Sequence, residues 1–345
     1  HLTSANMERY STAQRPAIVP AARDGASLPA SFGQERMWFL DRMYGGSAHY
    51  NMPAAVRVRG GFDAELAEQA LSRVIARHEV LRTLIVEEIG GCRQRIGSAA
   101  GFALGRVDLG ALPAAERERA LQSLVNDDAG RPFDLSSDLM LRASFVRLAG
   151  DDAVLLLNVH HIAADGWSLE ILRREFEQQY AALSRGEPDP LPPLLVQYAD
   201  YAQWQRDWLQ GEVLDQQLAY WERQLANLPV LHNLPLDYAR PAVLSFDGAV
   251  HSIELDVLAL DGLKKLAASR QVTLFMLVHA AFSLLLARHS GSDDIVVGTP
   301  VAARQHKEVE ALIGKARAAA RGATGGGDAD GEYFARAFAA GADLD

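Results

Sequence analysis

The chain has 345 residues, 49% hydrophobic and 23% charged, with a net charge of −10; this suits one large folded domain or two ordinary ones and excludes the basic surface that nucleic acid requires. A single cysteine, Cys92, excludes an internal disulfide. The longest apolar stretch, from Leu274, is interrupted by His279 and Ser283, short of the roughly 20 residues that cross a bilayer, so no membrane partner is expected.

The opening HLTSANMERYSTAQ has neither a basic start nor an apolar centre. No signal peptide is expected from such a segment, and a cytoplasmic chain is expected. Residues 1–30 are polar and broken by Pro16, Pro20, Gly25 and Pro29, the pattern of a linker or tail. AAVRVRG (54–60) suits a strand. Behind Asp63 as N-cap, the stripe Leu66, Ala70, Leu71, Val74 and Ile75 predicts a helix. RTLIVEE and CRQRI around Gly90 and Gly91 predict a hairpin. PAAERERALQSLVNDDAG reads as a second helix with Pro113 in its first turn.

MLRASFVRL and DAVLLLNV, separated by AGDD, predict a pair of central strands. Ser168 is expected to cap a helix carrying Leu169, Leu172, Phe176, Tyr180 and Leu183 on one face. A proline-rich crossover, GEPDPLPPL, leads to two aromatic-rich helices around 194–227. A strand near 249–256, helices over 258–269 and 273–289, and a strand in DDIVVGTPV follow. After Gly314 the chain turns to alanine and glycine without a core stripe, the composition of a disordered segment. Mixed strands and helices of this kind predict an α/β sandwich in two lobes.

The chemistry concentrates in AVLLLNVHHIAADGWSLEIL (153–172), where a strand ends in two histidines and Asp-Gly follows. Neighbouring side chains on a strand point to opposite faces, so one of His160 and His161 enters a cavity and the other packs into the sheet. That opposes a metal site, which needs several ligands converging on one point. No GxSxG elbow is present and Cys92 has no neighbouring base. A histidine acting on substrates that bring their own nucleophile is left, since imidazole exchanges protons near neutrality. Asp165 is expected to hold the turn through an arginine, and Gly166 to let the backbone approach closely and turn into the helix. The bland alternative is two satisfied core histidines before an ordinary turn.

HHIAADG resembles the HHxxxDG signature of condensation domains in nonribosomal peptide synthetases, members of the chloramphenicol acetyltransferase-like superfamily. SFGQERMWFL (31–40), RHEVLRT (77–83), QYADYAQWQ (197–205) and DDIVVGTPVAAR (293–304) are similar to further family motifs, in the family's order. The resemblance implies a two-lobed chloramphenicol acetyltransferase-like sandwich, with 31–185 as first lobe and 186–314 as part of the second. It implies amide bond formation between thioesters carried on the phosphopantetheine arms of upstream and downstream peptidyl carrier proteins, beside an adenylation domain, with no cofactor or metal bound directly. By position His161 becomes the catalytic histidine, His160 structural, Asp165 architectural with Arg82 as its partner, and Gly166 part of the tunnel. Trp167 and Ser168 complete the motif and support it. WSLE after the motif favours condensation over epimerisation.

The family pattern continues past EALIG (310–314), whereas this chain reads KARAAARGATGGG. A second lobe cut short there, with 315–345 as an aberrant tail from a frameshift or genuine truncation, is expected to be poorly stable and inactive alone. Two alternatives therefore stand beside condensation: a catalytically silent module, and a free-standing acyltransferase of the same superfamily.

Overall fold

The computed structural model describes residues 16–229, 233–239 and 251–298. It divides into two compact units, His1–Gln210 and Gly211–Asp345. In chain order the first unit holds β1 (Leu28–Pro29), α1 (Phe32–Tyr44), β2 (Asn51–Arg59), α2 (Ala64–Arg77), a 3-10 turn (Glu79–Arg82), β3 (Thr83–Glu88) and β4 (Gly91–Ile96). Then come β5 (Gly105–Asp108), α3 (Ala114–Gly130), β6 (Leu141–Arg147), β7 (Asp152–His160), α4 (Gly166–Ser184) and α5 (Tyr198–Trp208).

The main sheet has the order β2-β7-β6-β5, antiparallel except for the β5–β6 pair. The two strands expected to be central are so. β7 alternates between two helical layers: Leu155 and Val159 pack with Leu71, Val74 and Ile75 of α2, while Val154 and Leu156 pack with Leu121 of α3. Burial on both faces explains its unbroken apolar run. Pro53 is accommodated because β2 is an edge strand, where a missing N–H costs no ladder bond. The hairpin forms as expected, with Glu88 opposite Gly91, and Gly90 at φ 96° supplies the left-handed backbone of its two-residue tip.

Within the first unit two of the sequence motifs, 31–40 and 197–205, clamp together with β4. Ser31 caps α1, its hydroxyl 2.9 Å from the Tyr198 hydroxyl. Gln34 donates to Gln94, and Gln205 of α5 accepts from the Phe32 amide. Residues expected to be linker join the same clamp. Leu28 and Pro29 pair with β4, and the buried carboxylate of Asp200 accepts from the Ala21 amide and pairs with Arg23.

The second unit contains α6 (Gly211–Gln224), α7 (Val257–Ser269) and α8 (Leu274–Ser290), near the helices expected there. Among the described residues no single helix is long and apolar enough to cross a membrane; α7 and α8 pass that test only as a pair bent by 103°. The strands expected at 249–256 and 293–301 do not form over their described parts, 251–256 and 293–298. A strand needs a partner for its ladder, and none pairs with either segment among the described residues. Residues 249, 250 and 299–301 lie outside the described residues, as does the segment after Gly314.

Candidate functional site

The end of β7 is fixed amide by amide. His160 donates to the Met140 carbonyl at 3.0 Å, and His161 donates to that of Tyr50 at 2.8 Å. Ile162 donates to His160 Nδ1 at 3.1 Å, and Ala163 closes a turn onto the His160 carbonyl at 3.0 Å. No backbone donor in the turn is left for water or substrate to satisfy.

Inside this frame the imidazoles separate as the strand period requires. His160 is 1% exposed, against Tyr50 and edge-on to Phe133 at 5.6 Å; His161 is exposed. Because Nδ1 of His160 accepts from an amide, its neutral ring carries the proton on Nε2. Burial, reinforced by the neighbouring His161 and Arg142, pushes its pKa down to about 4.

Asp165 holds the turn as expected of an architectural residue, but through a different partner. It is the N-cap of α4: its carboxylate accepts from the Ser168 amide at 2.7 Å and the Ser168 hydroxyl at 2.5 Å. Ser168 therefore sits three residues inside the helix and supports the cap instead of being it. Burial works to raise the Asp165 pKa, but the Ser168 bonds and the nearby His161 leave it below the usual carboxylate range. The expected pairing with Arg82 does not form. Arg82 Nη1 donates to the Gly97 carbonyl at 2.7 Å, and its Nε is buried without a hydrogen-bond partner. Gly97 is the residue where backbone approaches closely, since a Cβ there would stand 2.9 Å from the Arg82 carbonyl oxygen. Gly166 carries no such constraint, for a Cβ would meet nothing within 4 Å. Trp167 is 64% exposed beside it.

The structure thus brings His161, Asp165, Gly166 and Trp167 to one exposed end of the sheet, with His160 beneath and Arg82 assigned elsewhere. Sequence reasoning missed the polar brace behind α4. Glu175, 9% exposed, accepts from Arg77 and meets His78 Nε2 at 2.6 Å, while buried Gln179 accepts from Arg73. The signal was the i,i+4 pair Glu175 and Gln179 on the flank of the apolar stripe. Among the described residues no group of three His, Cys, Asp or Glu side chains could hold a metal ion.

The family model described as Condensation domain matches residues 26–315, the histidine turn included. A linear gramicidin synthase from Brevibacillus parabrevis is 50% identical over 297 residues, covering 86% of this chain and 4% of that protein. The chain spans only a small part of such multidomain relatives. Among solved structures, the X-domain from teicoplanin biosynthesis superposes with a TM-score of 0.72 at 30% identity, covering 81% of this chain and 61% of that one. A four-domain nonribosomal peptide synthetase bound to AMP and glycine gives 0.70 at 25% identity, covering 82% and 21%. Sequence and fold agree, and the chain belongs to the condensation-domain family, with its chloramphenicol acetyltransferase-like α/β fold.

Proposed function

We propose that this chain serves amide bond formation between two acyl groups held as thioesters on phosphopantetheine arms, with His161 as the catalytic histidine. The observation that carries the reading is an exposed imidazole on a turn whose every amide is already bonded, within the family's own motif. The acceptor's α-amine attacks the donor thioester carbonyl. A C–N bond forms, the C–S bond breaks, and the sulfur leaves as a thiol with the proton the amine gives up.

A free α-amine titrates near 7.7–8.0, so exposing its lone pair at cellular pH costs only about a kcal/mol. Alignment of two tethered reactants supplies roughly 7–11 kcal/mol, against about 10²–10⁴-fold for general base catalysis. His161 therefore acts chiefly as the hydrogen-bond acceptor that orients the amine. Gly166 leaves room for the incoming arm, and Asp165, through its cap, holds the helix start beside it. The partners are upstream and downstream peptidyl carrier proteins, with an adenylation domain loading the acceptor.

The test is amide product, read by mass spectrometry, from the full chain and two aminoacylated carrier proteins. His161→Asn, which keeps an acceptor oxygen, is expected to retain most activity, and His161→Ala to lose nearly all. Equal loss in both makes proton removal the larger contribution. A folded chain that forms no amide with any donor and acceptor pair belongs to the silent reading instead.

A further inference from the structure

Arg142 has no part in the reading above, and its surroundings are unusual for a cation. It is half-buried, and among the described residues no carboxylate forms an ion pair with it, Asp128 and Asp138 attracting it only from beyond contact distance. Its guanidinium instead meets the end of α3: Nη2 donates to the carbonyls of Arg131 at 2.6 Å and Asp128 at 3.4 Å, and Nη1 to that of Pro132 at 2.9 Å. The partial negative charge of a helix C-terminus takes the place of a direct carboxylate partner.

Two asparagines share that task. Asn158 Nδ2 donates to the Asp128 carbonyl at 2.8 Å, and Asn51 Nδ2 to those of Ala129 and Arg131. Capping alone therefore does not account for an arginine. Its flat face does more, lying over the Phe133 ring with the guanidinium carbon 3.8 Å from the ring centroid.

Phe133 is 3% exposed and packs in one apolar cluster with Met140 and Ile162. Its ring also meets the His160 imidazole at 5.6 Å and 69°. It thus meets the imidazole that accepts the Ile162 amide at Nδ1 and shares a cluster with the Ile162 side chain, on either side of the bond that shapes the turn beneath His161.

We propose that Arg142 is a positioning residue for the His161 imidazole: stacked on Phe133 and anchored to carbonyls in the last turn of α3 and just beyond it, it holds that ring against His160 and Ile162 and keeps the His160–Ile162 bond closed. The catalytic consequence rests on the amide-forming reading; the mechanical part does not.

The experiment follows amide hydrogen exchange in the full-length chain, comparing Ile162 with Leu155 in the middle of β7. Arg142→Lys keeps the charge without the flat face, Phe133→Leu removes the ring, and Asn158→Ala removes only a cap bond. Arg142→Lys and Phe133→Leu are expected to speed Ile162 exchange relative to Leu155 by about ten-fold or more, the signature of a local opening. Asn158→Ala is expected to leave that ratio unchanged. A ratio unchanged in all three variants overturns the proposal, as does an equal rise in Asn158→Ala. If Arg142→Lys does not fold, Phe133→Leu against Asn158→Ala decides alone. The readout needs no turnover, so a chain that forms no amide yet opens at Ile162 refutes the functional reading and keeps this one.

Discussion

His160 and His161 are adjacent in the chain, yet one is sealed among Tyr50, Phe133 and the sheet and the other stands exposed. For His160 this difference is a statement about stability. Its ring titrates near 6.5 in an unfolded chain and about 4 when folded, so between those values protons bind the unfolded state preferentially. Its contribution is complete above about pH 6.5 and is lost as pH falls towards 4, a loss of roughly 2 kcal/mol by pH 5. Urea unfolding at pH 7.5 and 5.0 checks this: the wild type should weaken more than His160→Gln, and parallel slopes count against it. Gly166 supplies a second residue-scale test. With open space at its Cβ position, Gly166→Ala should raise stability by up to about 1 kcal/mol. If the space belongs to an incoming thioester arm, the same variant lowers amide formation while the melting temperature rises.

At the scale of elements, the start of α4 shows what sequence could and could not tell. DGWSLE offers two capping residues three positions apart, and propensity alone favours neither. Asp165 wins because its carboxylate takes both the amide and the hydroxyl of Ser168, which a serine three residues later cannot reproduce. A cap requires an acceptor, whereas an ion pair requires a charge. Asp165→Asn should therefore keep most of the helix's stability, and Asp165→Ala should lose about 1 kcal/mol in thermal or urea unfolding. Equal losses would point to the charge. The β3–β4 hairpin, the central strand pair and the opposite facing of the two histidines were legible because each is a local periodicity. The destination of Arg82 and the clamp of Ser31 on Tyr198 were not, because they depend on which distant backbone atoms the fold brings near.

Across the whole molecule, order is uneven. Among the described residues, the first unit has two sheets and three buried clusters. In the second, apolar side chains on the helices are exposed: Val257 at 73%, Leu258 at 83%, and Phe275 and Val278 at 51%. Expected strands that find no partner among the described residues belong to the same picture, since pairing is a long-range property that an apolar run announces but does not provide. Hydrogen exchange over the full chain should be slowest in β7 and markedly faster in α7 and α8. Light scattering should show self-association that falls in Val257→Lys and Leu258→Lys. Uniform protection, or scattering indifferent to both changes, would contradict this division.

The turn at 160–163 has one more consequence. Tyr50 and Met140 grip its backbone and leave the side chain of residue 161 out of the bonding. Shape and reactivity are therefore inherited separately. On the amide-forming reading, a change from His161 to alanine silences the chemistry at little folding cost, so selection for docking alone can retain an inert descendant almost indistinguishable in outline from its working ancestor.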